Sequence, residues 1–267
     1  MDKREFGIKM INEIKEILNG RSLIFMFSIM DLKLRYRQSI LGIGWSFLEP
    51  LLILSILNLV FSTILKSPVE NFPIFLILNL TLYNFFSRGT SISTESILGR
   101  AGIIKSVYIK KEIFPISANI TAFLMMLIEF TIVCIFFIAF QVIPPITIAY
   151  LPVIVILLTV FTLGVSLPLS ILNVRFRDVR VIWTVVLQAM FFLTPIFYMI
   201  DFLPHPISDV ARLNPVALLI EMGHNSALFG ITPTLADLSY VTIVSFATLL
   251  IGWIIFRKLD RVTDDLL

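Results

Sequence analysis

Residues 116–172 read ISANITAFLMMLIEFTIVCIFFIAFQVIPPITIAYLPVIVILLTVFTLGVSLPLSIL, two apolar runs separated only by 141–146, with Pro144 and Pro145 at the reversal. Each run reaches the ~20 residues a helix needs to cross the hydrocarbon core of a bilayer. The two prolines cannot continue a helix, so the connection is tight and the runs form a helical hairpin. Glu129 is the one charged side chain in the whole stretch. A water-soluble domain does not carry a segment of this kind, and the class that follows is an all-α polytopic membrane protein.

Working outward, the same pattern recurs along the chain. Of its 267 residues 58% are hydrophobic and 15% charged, with a mean hydropathy of +0.96; an average soluble domain carries about 25% charge. Apolar runs predict spans at 41–65, 72–94, 116–140, 147–172, 181–200 and 240–256, six in all. Residues 1–38 read as an amphipathic interface region and 39–267 as a single transmembrane domain. The sole cysteine, Cys134, lies inside an apolar run, which excludes an internal disulfide framework and a cysteine metal cluster. The opening MDKREFGIKMINEIKEI is charged and amphipathic, without the apolar core and small-residue cleavage site of a signal peptide, so the mature chain is expected to start at Met1.

The net charge of +3 says less than where the charges fall. Of 21 Lys and Arg residues, all but Lys66, Arg88 and Arg212 lie before span one, between spans two and three, between four and five, or after six. Arg88 sits near the end of span two. The positive-inside bias then makes both termini and both basic loops cytoplasmic, in a cytoplasmic membrane, and gives no reason to invoke nucleic acid.

Two regions fit neither span nor loop. Residues 3–18 place Phe6, Met10, Ile11, Ile14, Ile17 and Leu18 on one helical face, the pattern of a helix lying in the membrane interface. Residues 23–37 continue it, apolar in SLIFMFSIM and basic in DLKLRYRQ, as an elbow against membrane lipid. On the other side, 201–237 is interrupted by Pro204, Pro206 and Pro215, and its helical stretch 216–229 is too short to cross ~30 Å of hydrocarbon. Short re-entrant or outward-facing helices between spans five and six are the reading, packed in protein or lining a cavity.

Chemistry-bearing residues are few. Glu49, just before Pro50, and Glu129 are carboxylates within spans, suited to proton coupling, to a structural hydrogen bond, or to the polar lining of a conduit. Trp45, Tyr83, Phe85, Phe86, Trp183, Phe197 and Tyr198 fall toward span ends, where rings serve as interfacial belts or as sliding faces for a sugar or lipid-linked substrate. Glu221 and His224 are three apart on one prospective helix, which is short of a metal site. No nucleophile or metalloprotease motif is present. Nor is there a phosphate-binding loop: the nearest stretch, Gly99-Arg-Ala-Gly102-Ile-Ile-Lys105-Ser106, lacks the four-residue gap and the Gly-Lys pair. The basic loops 97–111, expected as a short helix, and 173–180 read either as lipid anchors or as docking elements.

The stretch Leu34-Arg-Tyr-Arg-Gln-Ser-Ile-Leu-Gly-Ile-Gly-Trp-Ser-Phe-Leu-Glu-Pro50 resembles the opening of polysaccharide-exporting ABC type-2 permeases. So do Leu172-Asn-Val-Arg-Phe-Arg-Asp-Val179, Leu193-Thr-Pro-Ile-Phe-Tyr198 and Leu213-Asn-Pro-Val216, in the same order along nearly the entire chain. The resemblance implies a non-enzymatic transport subunit that pairs as a homodimer and docks two copies of a separate ATPase, which would bind the ATP and Mg that this chain does not. It makes a lipid-linked polysaccharide the expected cargo. Trp45, Glu49, Tyr83, Phe85, Phe86, Glu129, Phe197 and Tyr198 become expected conduit residues. Arg100, Lys105, Lys110, Lys111, Arg175, Phe176, Arg177 and Asp178 become expected coupling residues. The same helices would also suit an ABC exporter of drugs or small lipids, and the two carboxylates an ion-coupled secondary carrier, although the internal repeat common in such carriers is not found.

Overall fold

Asn71 adopts a left-handed backbone (φ 51°) and Pro73 follows within the first turn, which together launch the helix around which the molecule is built. The computed structural model describes residues 19–35, 37, 39–64, 69–107 and 109–263; the helix expected over 3–18 lies outside them. Among the described residues the secondary structure is entirely helical: α1 (Arg21–Arg35), α2 (Trp45–Asn58), α3 (Phe72–Ser96), α4 (Ala101–Ser106), α5 (Ile113–Ala139), α6 (Leu151–Arg175), α7 (Val179–Leu193), α8 (Ile207–Leu213), α9 (Pro215–His224) and α10 (Leu235–Thr263). A wider turn, Leu59–Ile64, prolongs α2, and another, Asn225–Phe229, prolongs α9.

Helix α3 is the axis. It packs against α2, α5, α6, α7 and α9, and Ile74, Phe75, Leu76, Ile77, Leu78, Leu82, Phe85 and Phe86 are all but inaccessible. Its polar residues are buried with them. Asn79, Thr81, Thr90, Ser93 and Thr94 sit inside the bundle, and most of their hydroxyls return to carbonyls of their own helix, as backbone away from water requires. Helices α5 and α6 form the hairpin expected from Pro144 and Pro145, with Gln141 left-handed (φ 55°) in the turn and a 3-10 turn, Ile146–Tyr150, leading into α6.

Helix α10 packs chiefly on α6, and two glycines permit it. A methyl group placed on Gly252 would lie 2.1 Å from the Gly164 carbonyl oxygen, and one on Gly164 would lie 2.6 Å from the backbone nitrogen of Leu249. The two backbones touch, a close approach typical of helix pairs packed in a membrane.

Among the described residues four helices are long and apolar enough to cross a membrane: Trp45–Ser62, Ile113–Ala139, Ile146–Arg175 and Leu235–Asp260. The chain is thus a multi-pass membrane protein. Two of the six expected spans differ from these. Helix α3 has the length, but its polar residues dilute its apolar character. Helix α7 stops at Leu193 rather than continuing to Ile200, because Pro195 follows and Thr194–Met199 is not helical. Its 15 residues rise only ~22 Å. The last helix is longer than the expected 240–256 at both ends.

Candidate functional site

Within the spans, Glu49 and Glu129 converge on one guanidinium. Arg88 on α3 bonds to Glu129 on α5 and lies 3.5 Å from Glu49 on α2, so one cation joins three helices. Glu129 is buried inside the single copy, whereas the Glu49 side chain is 47% exposed. A charge in hydrocarbon is expensive unless paired, which is why the lone arginine of α3 and the lone carboxylates of α2 and α5 come together. Sequence reading found the two carboxylates but not their partner. The signal was there: an arginine inside an otherwise apolar span calls for an acidic neighbour.

The aromatic residues divide by depth. Tyr83, Phe85 and Phe86 are packed in the core, the Tyr83 hydroxyl bonding to the Leu187 carbonyl of α7. Phe197 is nearly buried and stacks on Phe61 at 4.5 Å, and the Tyr198 hydroxyl donates to the Phe192 carbonyl at 3.1 Å. Trp183 donates its indole hydrogen to Thr90 at 2.9 Å, tying α7 to α3. Trp45, at the start of α2, is exposed.

At the basic end of the bundle the expected coupling residues also divide. Residues 97–111 do not form one helix. Ile97 is buried, a 3-10 turn covers Leu98–Arg100, the short α4 follows, and the chain then turns back into the body at Lys111 and Glu112. Arg100 is drawn inward to Asp31 of α1. Lys111 pairs with Asp260 at 3.0 Å and Glu112 with Arg257 at 3.0 Å, both on α10. Burial pushes the Glu112 carboxyl above its ordinary value, with Lys110 and Lys111 pulling the other way. Lys105, by contrast, is exposed, as are Arg175 at the end of α6 and Phe176, Arg177 and Asp178 in the turn before α7. Arg180 meets Glu95 at 3.2 Å in the open. Between α1 and the end of α3 lies a cleft of about 590 Å³ bordered by Asp31, Arg35, Glu95 and Arg100.

At the opposite end, α8 and α9 fold as a short pair. Pro215 opens α9, and the Asn214 side chain accepts a bond from the Val216 nitrogen at 3.1 Å, capping it. Glu221 and His224 do not share a partner. Glu221 faces Arg212 at 3.6 Å, and burial, with Asp201 and Asp237 nearby, raises its carboxyl to about 7. His224 is sealed between Phe75 and Phe229, and burial lowers its imidazole to about 3. Asn79 gives its amide hydrogens to the Pro195 and Ile196 carbonyls, so its oxygen accepts from His224 at 3.1 Å, which places the neutral ring's proton on Nδ1. Among the described residues no group of three or more His, Cys, Asp and Glu could hold a metal ion.

Known proteins resemble this chain in sequence. An O-antigen export system permease protein RfbA of Klebsiella pneumoniae is 30% identical over 241 residues, covering 89% of this chain and 92% of its own length. A second from the same species is 29% identical at the same coverage, and one from Myxococcus xanthus is 29% identical over 71% of this chain and 73% of its own. The family model for ABC-2 type transporters matches residues 23–228, from the elbow helix through the short pair between α7 and α10. A helical membrane bundle with basic segments gathered at one end, matched by that model over most of its length, belongs to the ABC-2 type transporter family.

Proposed function

We propose that this chain is the permease subunit of an ATP-driven exporter that moves a lipid-linked polysaccharide, such as an O-antigen, capsule or teichoic-acid chain, out across the cytoplasmic membrane. The observation that carries the reading is the likeness to O-antigen export permeases over 89% of the chain. In this reading α2, α3, α5, α6, α7 and α10 are six spans, with both termini and the basic end cytoplasmic. Two copies form a homodimer around a conduit, since six helices alone are few for a wide path and two-fold pairing is the commonest way to enlarge one. Two copies of a separate ATPase bind ATP and Mg and dock at 97–111 and 173–180, where Lys105, Arg175, Phe176 and Arg177 stand exposed. Trp45 and the half-exposed Glu49 stand at the open side of α2, where a second copy would complete the conduit wall. Glu49 and Glu129, the residues a proton-coupled carrier would use, are instead tied to Arg88.

The test is made in the source cells. Deleting the gene should abolish the surface polysaccharide while its lipid-linked form accumulates inside. Export should return when the chain is restored beside a working ATPase, and not when the ATPase carries a replaced phosphate-loop lysine. Export that continues without any ATPase overturns the proposal.

A further inference from the structure

The segment 98–106 is lightly held. None of the six residues of α4 is buried, and a side chain added at Gly99 or Gly102 would meet only open space. Ile103 and Ile104 rest only partly on the apolar cluster at the basic end. Arg100 is the exception. Its guanidinium bonds to the Asp31 carboxylate of α1 and lies 5.3 Å from the Phe27 ring of α1 and 5.6 Å from the Phe114 ring of α5. Those two rings are themselves 5.5 Å apart and buried. A second amino group of Arg100 reaches the Ser96 carbonyl at the end of α3. A planar cation against two rings and fixed by a carboxylate is held in position, not merely neutralised.

What Arg100 grips is also joined to the rest of the bundle. On α1, Ser28 donates to the Ser117 carbonyl at 2.9 Å and accepts, through its own carbonyl, from Thr121 at 3.2 Å. Nine residues separate the end of α1 from α2, which carries Trp45 and Glu49. A displacement of 98–106 therefore has a stiff path into α1 and a short one onward to α2, whereas α4 alone would slide over the surface.

We infer that Arg100 is a positioning residue that carries movement of the 98–106 segment, through Asp31 and Phe27, into α1 and so to the first span. This rests on the reading that the partner ATPase docks on that segment. It gives the residues of the two basic regions different tasks: Lys105 and 175–178 meet the partner, while Arg100 faces inward and transmits.

The test separates hydrolysis from transport. In a Cys134→Ser background, Asp31→Cys and Arg100→Cys are combined and the permease is kept with its ATPase in inverted membrane vesicles. ATP hydrolysis and sequestration of the cells' own radiolabelled lipid-linked glycan are measured together. Before cross-linking, glycan moved per ATP should fall about fivefold or more, the range of an ordinary coupling energy, with hydrolysis retained. A short bismaleimide bridging the two cysteines should restore most of that ratio. Asp31→Asn, which leaves Arg100 and both rings, should lower the ratio in the same direction and covers the case in which the double variant does not assemble. An unchanged ratio in Asp31→Asn, or no recovery on bridging an assembled double variant, overturns the inference. A Lys105→Cys permease that never cross-links to the ATPase overturns the docking reading itself, and the inference with it.

Discussion

Arg88 shows how much a single charged group can decide at bilayer depth. Glu129 is fully packed and Glu49 half exposed, so their removal should have unequal effects. Glu129→Ala leaves Arg88 without its buried partner and should destabilise the chain by about 3 to 5 kcal/mol, whereas Glu49→Ala should cost about 1 kcal/mol or less. Thermal unfolding of the two variants in detergent checks the ranking. Glu221 supplies a second residue-scale test. Its carboxyl rises from 4.5 to about 7 because the folded surroundings disfavour its charge. The folded state therefore holds the proton more tightly than the unfolded chain, and stability is greatest below about pH 4.5 and is lost as pH rises toward 7. Glu221→Gln should flatten that part of the melting-temperature profile, and an unchanged slope would assign it to other groups.

Elements meet according to what their contact residues allow. Helix α10 reaches α6 because Gly164 and Gly252 present no side chains where the backbones touch. Gly252→Ala places a methyl into the Gly164 carbonyl and forces the helices apart, with an expected loss of about 1 to 3 kcal/mol. Alanine is otherwise the better helix former, so a stabilised variant would contradict the contact. Helix α3 makes the complementary point. It is polar enough to read as a weak span yet is the most enclosed of the long helices, most of its buried hydroxyls bonded to its own carbonyls and its Arg88 bonded to neighbours. Helix α7 leaves Val181, Ile182, Val185, Val186, Phe192 and Leu193 exposed on a single copy, with Leu187 its one buried residue.

For the whole molecule, that exposed face of α7 and the open side of α2 are where a second copy would complete the assembly proposed above. Cysteines placed at Val185 in a Cys134→Ser background should cross-link between two tagged copies in membranes. Retrieval of only one tag, under conditions that capture a known dimer, would leave the homodimer without support. The proposed division of labour with a separate ATPase fits the same architecture. The ends of α3, α6 and α10 gather on one side with α4, where Lys105, Arg175, Arg177, Arg180 and Lys258 are exposed, and among the described residues Arg88 joins two carboxylates within the spans.

The sequence by itself determined the class, the hairpin at Pro144 and Pro145, the amphipathic α1 and the failure of 201–237 to span, because hydrocarbon thickness and backbone hydrogen bonding leave a chain little choice about where apolar runs go. It marked Glu49, Glu129 and the basic loops as sites of interest for the same reason, since charge inside or beside a membrane is conspicuous. It placed the end of α7 too late, as apolar character continues past Leu193 while the helix does not. Only the tertiary structure decided partners: that Arg88 stands between two carboxylates, that Arg100 and Lys111 turn inward while Lys105 stays out, and that Glu221 and His224 face different neighbours. Those outcomes depend on which helix lies beside which, and pairing between residues as far as 149 positions apart leaves no periodic trace in the chain.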